Sequence, residues 1–257
     1  MTLGEEILKS LEYNSEYRNI KINTENIIPS GADFVIEKRK NTQNDNVIVS
    51  ESQTKIYVSS DTGKYMQSSD LKGLEQAISK CKKCPLGSTR KNFVFGTGNP
   101  KAKIVVIGEA PGRDEDEQGK PFVGRAGKLL TDILKSINLT REEVFIANIL
   151  KCRPPDNRNP LPAEIDFCFP YLKKQMQLID PDYVLAVGTF AGQTILNSRD
   201  TLGRMRGKIH TANFFGKDIK VVVTYHPAAL LRNPNWKRPT WEDVKLFRDE
   251  FEKTLKH

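Results

Sequence analysis

Four short apolar runs, rich in β-branched residues, set what this chain can fold into: 104–107 (IVVI), 144–149 (VFIANI), 183–187 (YVLAV) and 219–224 (IKVVVT). Each has strand length and is bounded by turn formers, so each reads as a buried strand. The segments between them have helical spacing. Residues 123–137 place Leu130, Ile133, Leu134 and Ile137 on one face. Further helices are expected over 73–80, 162–177, 188–196 and 240–255, the last capped by Thr240 with Asp243. Strand–helix alternation at this spacing builds βαβ units. The expected fold is therefore α/β: a three-layer α/β/α sandwich around a central, mostly parallel four-stranded sheet.

At 257 residues the chain can hold one such domain and a tail. The expected division is a disordered N-terminal extension over 1–70 and a folded domain over 71–257. The extension is polar and aperiodic. Its local signals are a helix over 4–13, behind a Thr2–Glu5 capping box, and brief strands at 46–50 and 55–59. Charge divides the same way. The total is +8, but the first seventy residues carry 8 Lys+Arg against 11 Asp+Glu, which leaves +11 to the rest. A basic domain of this kind suits a polyanion, with nucleic acid the leading candidate. The chain opens MTLGEEILKS, acidic where a signal peptide is basic, and no apolar run approaches the ~20 residues of a membrane span. A cytoplasmic location with reduced cysteines is expected.

Parallel strands bring their C-terminal ends to one edge, where open α/β sheets bind ligands. Glu109, Asn148 and His226 each fall at or just past a different strand end. An amide at Asn148 can read paired donor and acceptor groups. Phe122 can stack on a planar ring, His226 can donate to an oxygen gaining charge, and Glu109 and Glu115 can hold a water. Singly, each of these residues has an ordinary structural explanation; their convergence on one edge is what points to a site. The Gly112…Gly119-Lys120 stretch is not a phosphate loop: six residues intervene instead of four, no Ser or Thr follows, and the acidic run repels phosphate.

The chain has four cysteines, Cys81, Cys84, Cys152 and Cys168. One CxxC and a distant pair in a reducing compartment argue for a metal centre over disulfides. Thiolate-only ligation admits zinc or an iron–sulfur cluster, and spacing alone leans toward zinc. With four protein ligands such a centre would be structural.

Together, GEAPGRDEDEQGKPFVGRAG (108–127), the four cysteines, NILKCRPPDNRNP (148–160) and HPAALLRN (226–233) resemble the family-4 uracil-DNA glycosylases. These are the iron–sulfur members of their superfamily, and the resemblance covers residues 73–255. It implies a [4Fe–4S] cluster on Cys81, Cys84, Cys152 and Cys168. It implies a monomeric enzyme that flips uracil out of single- or double-stranded DNA and hydrolyses the N-glycosidic bond. By the same resemblance, Glu109, Glu115 and Asn157 serve the attacking water, and His226 contacts the uracil oxygen. Phe122 stacks on uracil and Asn148 reads its edge. Leu230 or Leu231 wedges into the base stack, and Arg232 contacts the backbone. The loop CRPPDNRNP lacks the His of the branch that bonds covalently to uracil. Residues 1–70 are left for a repair or replication partner. Three rivals remain open: excision of another deaminated base, a silent nucleic-acid-binding module, and an electron carrier.

Overall fold

The computed structural model describes residues 65–255 and three short strands before them: Ile28–Ser30 (β1), Asp33–Ile36 (β2) and Ile56–Ser59 (β3). The chain divides into two units, Met1–Lys64 and Tyr65–His257. In the first, β1, β2 and β3 form an antiparallel sheet in that order, with Ile28 opposite Val35 and Asp33 opposite Ser59. The strand expected at 55–59 corresponds to β3. The helix expected at 4–13, the strand at 46–50 and most of the expected disordered extension lie outside the described residues.

The second unit opens with a 3-10 turn, Tyr65–Gln67, whose buried Tyr65 packs edge-on against Tyr171 at 5.0 Å. Its sheet has six strands, in the order β4-β6-β5-β7-β9-β8. The four central ones are the expected runs: Ile104–Gly108 (β5), Phe145–Asn148 (β6), Tyr183–Val187 (β7) and Lys217–Thr224 (β9), all parallel. The expectation of four strands is corrected by two antiparallel edges, Thr97–Gly98 (β4) and Ile209–Phe214 (β8). Neither announces itself in the sequence. The first is two residues long. The second is mixed in polarity and half-exposed, and it joins β9 through a two-residue turn, Phe215-Gly216, with φ of 54° and 83°. Positive φ at both positions matches the right-handed strand twist, but Phe-Gly is a weak turn signature.

Helices cover both faces. Side chains alternate along each strand, so Val105, Ile107, Ala147, Val184, Val221 and Val223 face one layer. That layer contains Leu71–Ile78 (α1), Pro162–Ile179 (α5) and Thr189–Leu196 (α6). Ile104, Val106, Ile146, Leu185 and Val222 face Arg125–Lys135 (α4) and Lys237–Leu255 (α9) through Leu130, Leu134, Val244 and Phe247. Each fully buried aliphatic or aromatic side chain contributes about 1.5–3 kcal/mol, so the two layers hold the strand ends in fixed register.

Local signals explain the boundaries. Asp70 caps α1 by accepting from Gly73 N at 2.7 Å. Between α1 and β4 lies a single turn, Leu86–Thr89 (α2). The acidic run after β5 is helical instead of loop: Arg113–Gln118 (α3) carries Asp114, Glu115 and Asp116 in its first turn, where the helix dipole favours negative charge. The cap expected at Thr240 and Asp243 is also corrected. The helix starts at Lys237, which puts both residues inside it and buried. Thr240 Oγ1 donates to Trp236 O at 2.8 Å, and Asp243 pairs with Arg206 at 3.0 Å.

Candidate active site and cysteine centre

The expected convergence is built around Gly108, the last residue of β5. A Cβ placed there would stand 2.4 Å from Asn148 Oδ1 and 2.5 Å from Phe122 Cζ. Only a bare glycine lets the amide at the end of β6 and the Phe122 ring meet over the end of β5. His226 follows β9, two strands away, and its ring lies 5.5 Å from that of Phe122 with a tilt of 32°. Glu109 is held beside Asn148 because the chain leaving β6 stays zipped to it. Ile149 N donates to Gly108 O at 2.9 Å and Leu150 N to Glu109 O at 3.0 Å.

The protonation of His226 follows from its neighbours. Ala228 N donates to Nδ1 at 3.1 Å, so Nδ1 is an acceptor and the ring proton of the neutral form sits on Nε2. Burial lowers the imidazole pKa to about 4, and the Arg232 charge pushes the same way. At neutral pH the ring is an uncharged Nε2–H donor. Glu109 is half-buried, and that burial raises its carboxyl above the ordinary range.

Asn148 is the most exacting group in the crevice. It is 2% exposed, and its Oδ1 is buried without a hydrogen-bond donor among the described residues. A buried acceptor left unpaired costs about 1–3 kcal/mol. Such a group calls for an outside donor, which a ligand or a water supplies. Beneath it, Lys151 is completely buried and its Nζ donates to Asn148 O at 2.9 Å.

Phe122 sits at φ 53°, unusual for a bulky residue, and three devices hold it there. Arg141 donates to Phe122 O at 3.1 Å and to Pro121 O at 2.9 Å. Glu115 Oε1 accepts from Val123 N at 2.9 Å and Gly124 N at 3.0 Å, and Oε2 accepts from Gly112 N at 3.1 Å. Gly127 completes the fit: a Cβ there would lie 1.9 Å from Phe122 O. Glu115, expected to handle water, has both oxygens taken, one by the loop that presents Phe122 and the other by Gly112 at the start of α3.

The remaining expected residues divide. Leu230 is corrected as a wedge: it points into the core at 1% exposure, because the helix Pro227–Arg232 (α8) turns it inward. Leu231 beside it is 45% exposed, and Arg232 is exposed too. Asn157 is exposed on a 3-10 turn, where its Oδ1 accepts from Arg153 Nε at 2.8 Å; no described contact joins it to the crevice.

None of the four cysteines forms a disulfide. Each sulfur meets a donor. Tyr171 Oη reaches Cys81 at 3.2 Å, Arg90 Nη1 reaches Cys152 at 3.1 Å, and Lys151 N reaches Cys168 at 3.2 Å. Backbone N–H groups of Leu86 and Gly87 face Cys84. Burial raises the Cys152 and Cys168 thiols to about 11 and about 12, and the sulfurs feel one another's charge. Among the described residues no three His, Cys, Asp or Glu side chains are grouped to hold a single metal ion. The donor set, four sulfurs each met by N–H or O–H, is the environment thiolate ligands need. Arg90, Arg141, Lys151 and Tyr171 were not singled out from the sequence. Only Lys151 carries a local signal, standing between Asn148 and Cys152.

Comparison with known proteins identifies the family. Residues 95–245 match the model of the uracil DNA glycosylase superfamily. The chain is 48% identical to a type-4 uracil-DNA glycosylase of Archaeoglobus fulgidus, over 68% of this chain and 90% of that protein. It is 40% identical to one of Thermotoga maritima, over 67% and 90%. Identity to a type-5 uracil-DNA glycosylase of Pyrobaculum aerophilum is 28%, over 57% and 70%.

Proposed function

The chain belongs to the type-4 branch of the uracil DNA glycosylase superfamily, and we propose how its crevice performs that family's reaction, the excision of uracil from DNA. The observation that carries the assignment of residues is the unpaired, buried Oδ1 of Asn148 beside Phe122 and an Nε2–H on His226. Uracil presents an N3–H donor between two carbonyl oxygens. Asn148 Oδ1 accepts from N3–H while its Nδ2 donates to O4, and Phe122 covers the ring. Cytosine presents an amine and a bare nitrogen at the same places. It would leave two buried groups unpaired, the kind of mismatch worth 10⁴–10⁵ in discrimination.

The target base leaves the stack before it reaches this edge, at a cost of a few kcal/mol, with exposed Leu231 filling the gap. The C1′–N1 bond then breaks, its electron pair going to the base, which becomes an anion. His226 Nε2–H donates to the anion's O2. A neutral donor is suited to this, since it stabilises the developing charge without transferring its proton. Glu109 orients a water toward C1′, offsets the positive sugar, and takes the water's proton as the new C1′–O bond forms. The products are an abasic site and free uracil, which takes up a proton from solvent. Glu115 and Arg141 act at one remove, by holding Phe122.

The four cysteines fit a [4Fe–4S] cluster, which would supply a structural cross-link between the segment around α1 and the segments around Lys151 and α5. The reading is supported by the donors aimed at each sulfur. On this reading residues 71–257 are the catalytic domain, acting as a cytoplasmic monomer on single- and double-stranded DNA. Among the described residues no helix is long and apolar enough to cross a membrane.

The test is incubation with uracil-containing single- and double-stranded DNA, followed by alkaline cleavage of abasic sites. Strand breaks at uracil are expected, with hypoxanthine and cytosine duplexes left intact. Breaks at hypoxanthine in preference to uracil would overturn the reading of Asn148.

A further inference from the structure

The large hydrophobic side chains exposed among the described residues are Met66, Leu161, Phe215, Leu231, Trp236 and Trp241. Three of these fall within residues 231–241, LRNPNWKRPTW. The same eleven residues contain Arg232, Lys237 and Arg238 and no acid. Exposed aromatics interleaved with cations are the composition of a track for single-stranded nucleic acid. Single exposed hydrophobics are ordinary on any surface, so composition alone does not decide.

The geometry does. The Trp236 indole lies flat on the Tyr225 ring, with centroids 4.9 Å apart and planes within 13°. The Arg206 guanidinium stands over the Tyr225 ring at 5.3 Å. Arg206 is fixed in turn by fully buried Asp243, through bonds of 3.0 Å from Nε and 3.0 Å from Nη2. Asp243 also accepts from Thr224 Oγ1 at 2.7 Å, at the end of β9. Trp236 is anchored through its backbone as well: its N–H donates to Asn233 O at 3.2 Å and its carbonyl accepts from buried Thr240. A side chain held this firmly through both ring and backbone, yet 37% exposed, is neither core nor loose surface. Its order is established before binding, so stacking a ligand on it forfeits little side-chain entropy.

We infer that Trp236, backed by Tyr225 and Arg206, is a stacking platform for an unpaired base of the uracil-bearing strand, beside the flipped nucleotide. Tyr225 immediately precedes His226, so the platform stands at the rim of the crevice, on the same segment as Leu231. The inference rests on the uracil-excision reading for its ligand, DNA, and adds a second base site to it. Arg232, Lys237 and Arg238 would meet the flanking phosphates, a contribution that salt weakens. Stacking on Trp236 is far less sensitive to salt.

Base–aromatic stacking is worth about 1–3 kcal/mol, which is about 5- to 150-fold in affinity. The test uses the full-length, cluster-bearing protein and single-stranded oligonucleotides free of cleavable uracil. In a Trp241→Phe background Trp236 is the remaining tryptophan of the two, and its emission should be quenched on binding. Trp236→Ala should weaken binding by about 5- to 150-fold with an unchanged salt slope, and Trp236→Phe should retain most of the affinity. An oligonucleotide whose register is fixed by one uncleavable 2′-fluoro-deoxyuridine, with an abasic spacer at the stacked position, should bind wild type and Trp236→Ala alike. Unquenched emission, wild-type affinity in Trp236→Ala, or a defect that no spacer position removes would each overturn the platform. The quenching needs no substitution at Trp236, so it stands even where the alanine variant folds poorly. Failure of the wild type to excise uracil would overturn the function instead, and leaves the stacking measurement readable.

Discussion

At the scale of single residues, the crevice is defined by what its backbone leaves unsatisfied. Asn148 Oδ1 lacks a donor, while His226 Nδ1 already has one from Ala228. On the proposed reading, Asn148 is the acceptor for N3–H and His226 an Nε2–H donor. Replacing Asn148 by Asp removes the Nδ2 donor and places a carboxylate where the anion forms. We expect Asn148→Asp to lower kcat/KM for uracil by about 10²–10³, the scale of losing one preorganised donor. Steady-state kinetics on a single-stranded substrate checks this, and near-wild-type turnover would refute the role. The pH profile separates the two titrating groups. The carboxyl of Glu109 is raised by burial, so on acidification it is the first to protonate, and activity falls there. Glu109→Gln should be slow and should lose that limb, leaving the fall near pH 4 where His226 gains its charge. His226 also marks stability. Its folded pKa of about 4 lies below the unfolded value of 6.5, so the unfolded chain binds the proton first. Stability is full above pH 6.5 and declines toward pH 4, by at most about 1.4 kcal/mol per pH unit from this group. The strand-end positions of Glu109, Asn148 and His226 were legible because parallel strands must put their ends together. Arg141 was not, since a long side chain reaching a backbone carbonyl leaves no periodic trace in sequence, and Lys151 was marked only by standing between Asn148 and Cys152.

At the scale of elements, the segment between β5 and α4 shows how a motif can be located and its parts misread. Its acidic run looked like a loop whose carboxylates faced water. In the structure the run is a helical turn; Glu115 caps that turn through the N–H of Gly112 and fastens it to the start of α4 through the N–H groups of Val123 and Gly124. Two edge strands were missed for a related reason. Strand signals depend on burial, and β8 is half-exposed while β4 is too short to alternate. The presentation of Phe122 at positive φ depends on Arg141, which arrives from the turn before β6 and binds two consecutive carbonyls. Arg141→Met keeps much of the side-chain length and removes both bonds. Each hydrogen bond to a charged donor is worth about 1.5–3 kcal/mol. The Phe122 loop should relax toward ordinary φ. The expected result is at least a tenfold rise in KM, with a smaller effect on kcat, because what is lost is the preformed ring surface. A Tm measurement alongside separates loop relaxation from global unfolding. An unchanged KM would show that Glu115 and Gly127 hold the loop without Arg141.

At the scale of the molecule, the cysteine centre and the crevice meet in one stretch of chain. Asn148 ends β6, Lys151 lies three residues on with its Nζ under Asn148 O and its N–H on Cys168, and Cys152 follows. Cys168 lies within α5, and Cys81 and Cys84 lie between α1 and α2, so a cluster on all four would close long loops across the layer that carries β6. By the chain-entropy model such a closure stabilises by about 3–5 kcal/mol. Cys168→Ser should abolish the bound iron and acid-labile sulfide and lower Tm markedly. It should also affect uracil binding beyond the general loss of stability, because the Lys151 N–H loses its sulfur while Lys151 Nζ supports Asn148. Colorimetric iron and sulfide assays, thermal unfolding, and KM at a temperature where the variant remains folded distinguish these effects. If the variant lost iron and stability but kept a wild-type KM, the centre would brace the fold without bracing the uracil edge. A wild-type protein that bound zinc and no sulfide would remove the cluster altogether.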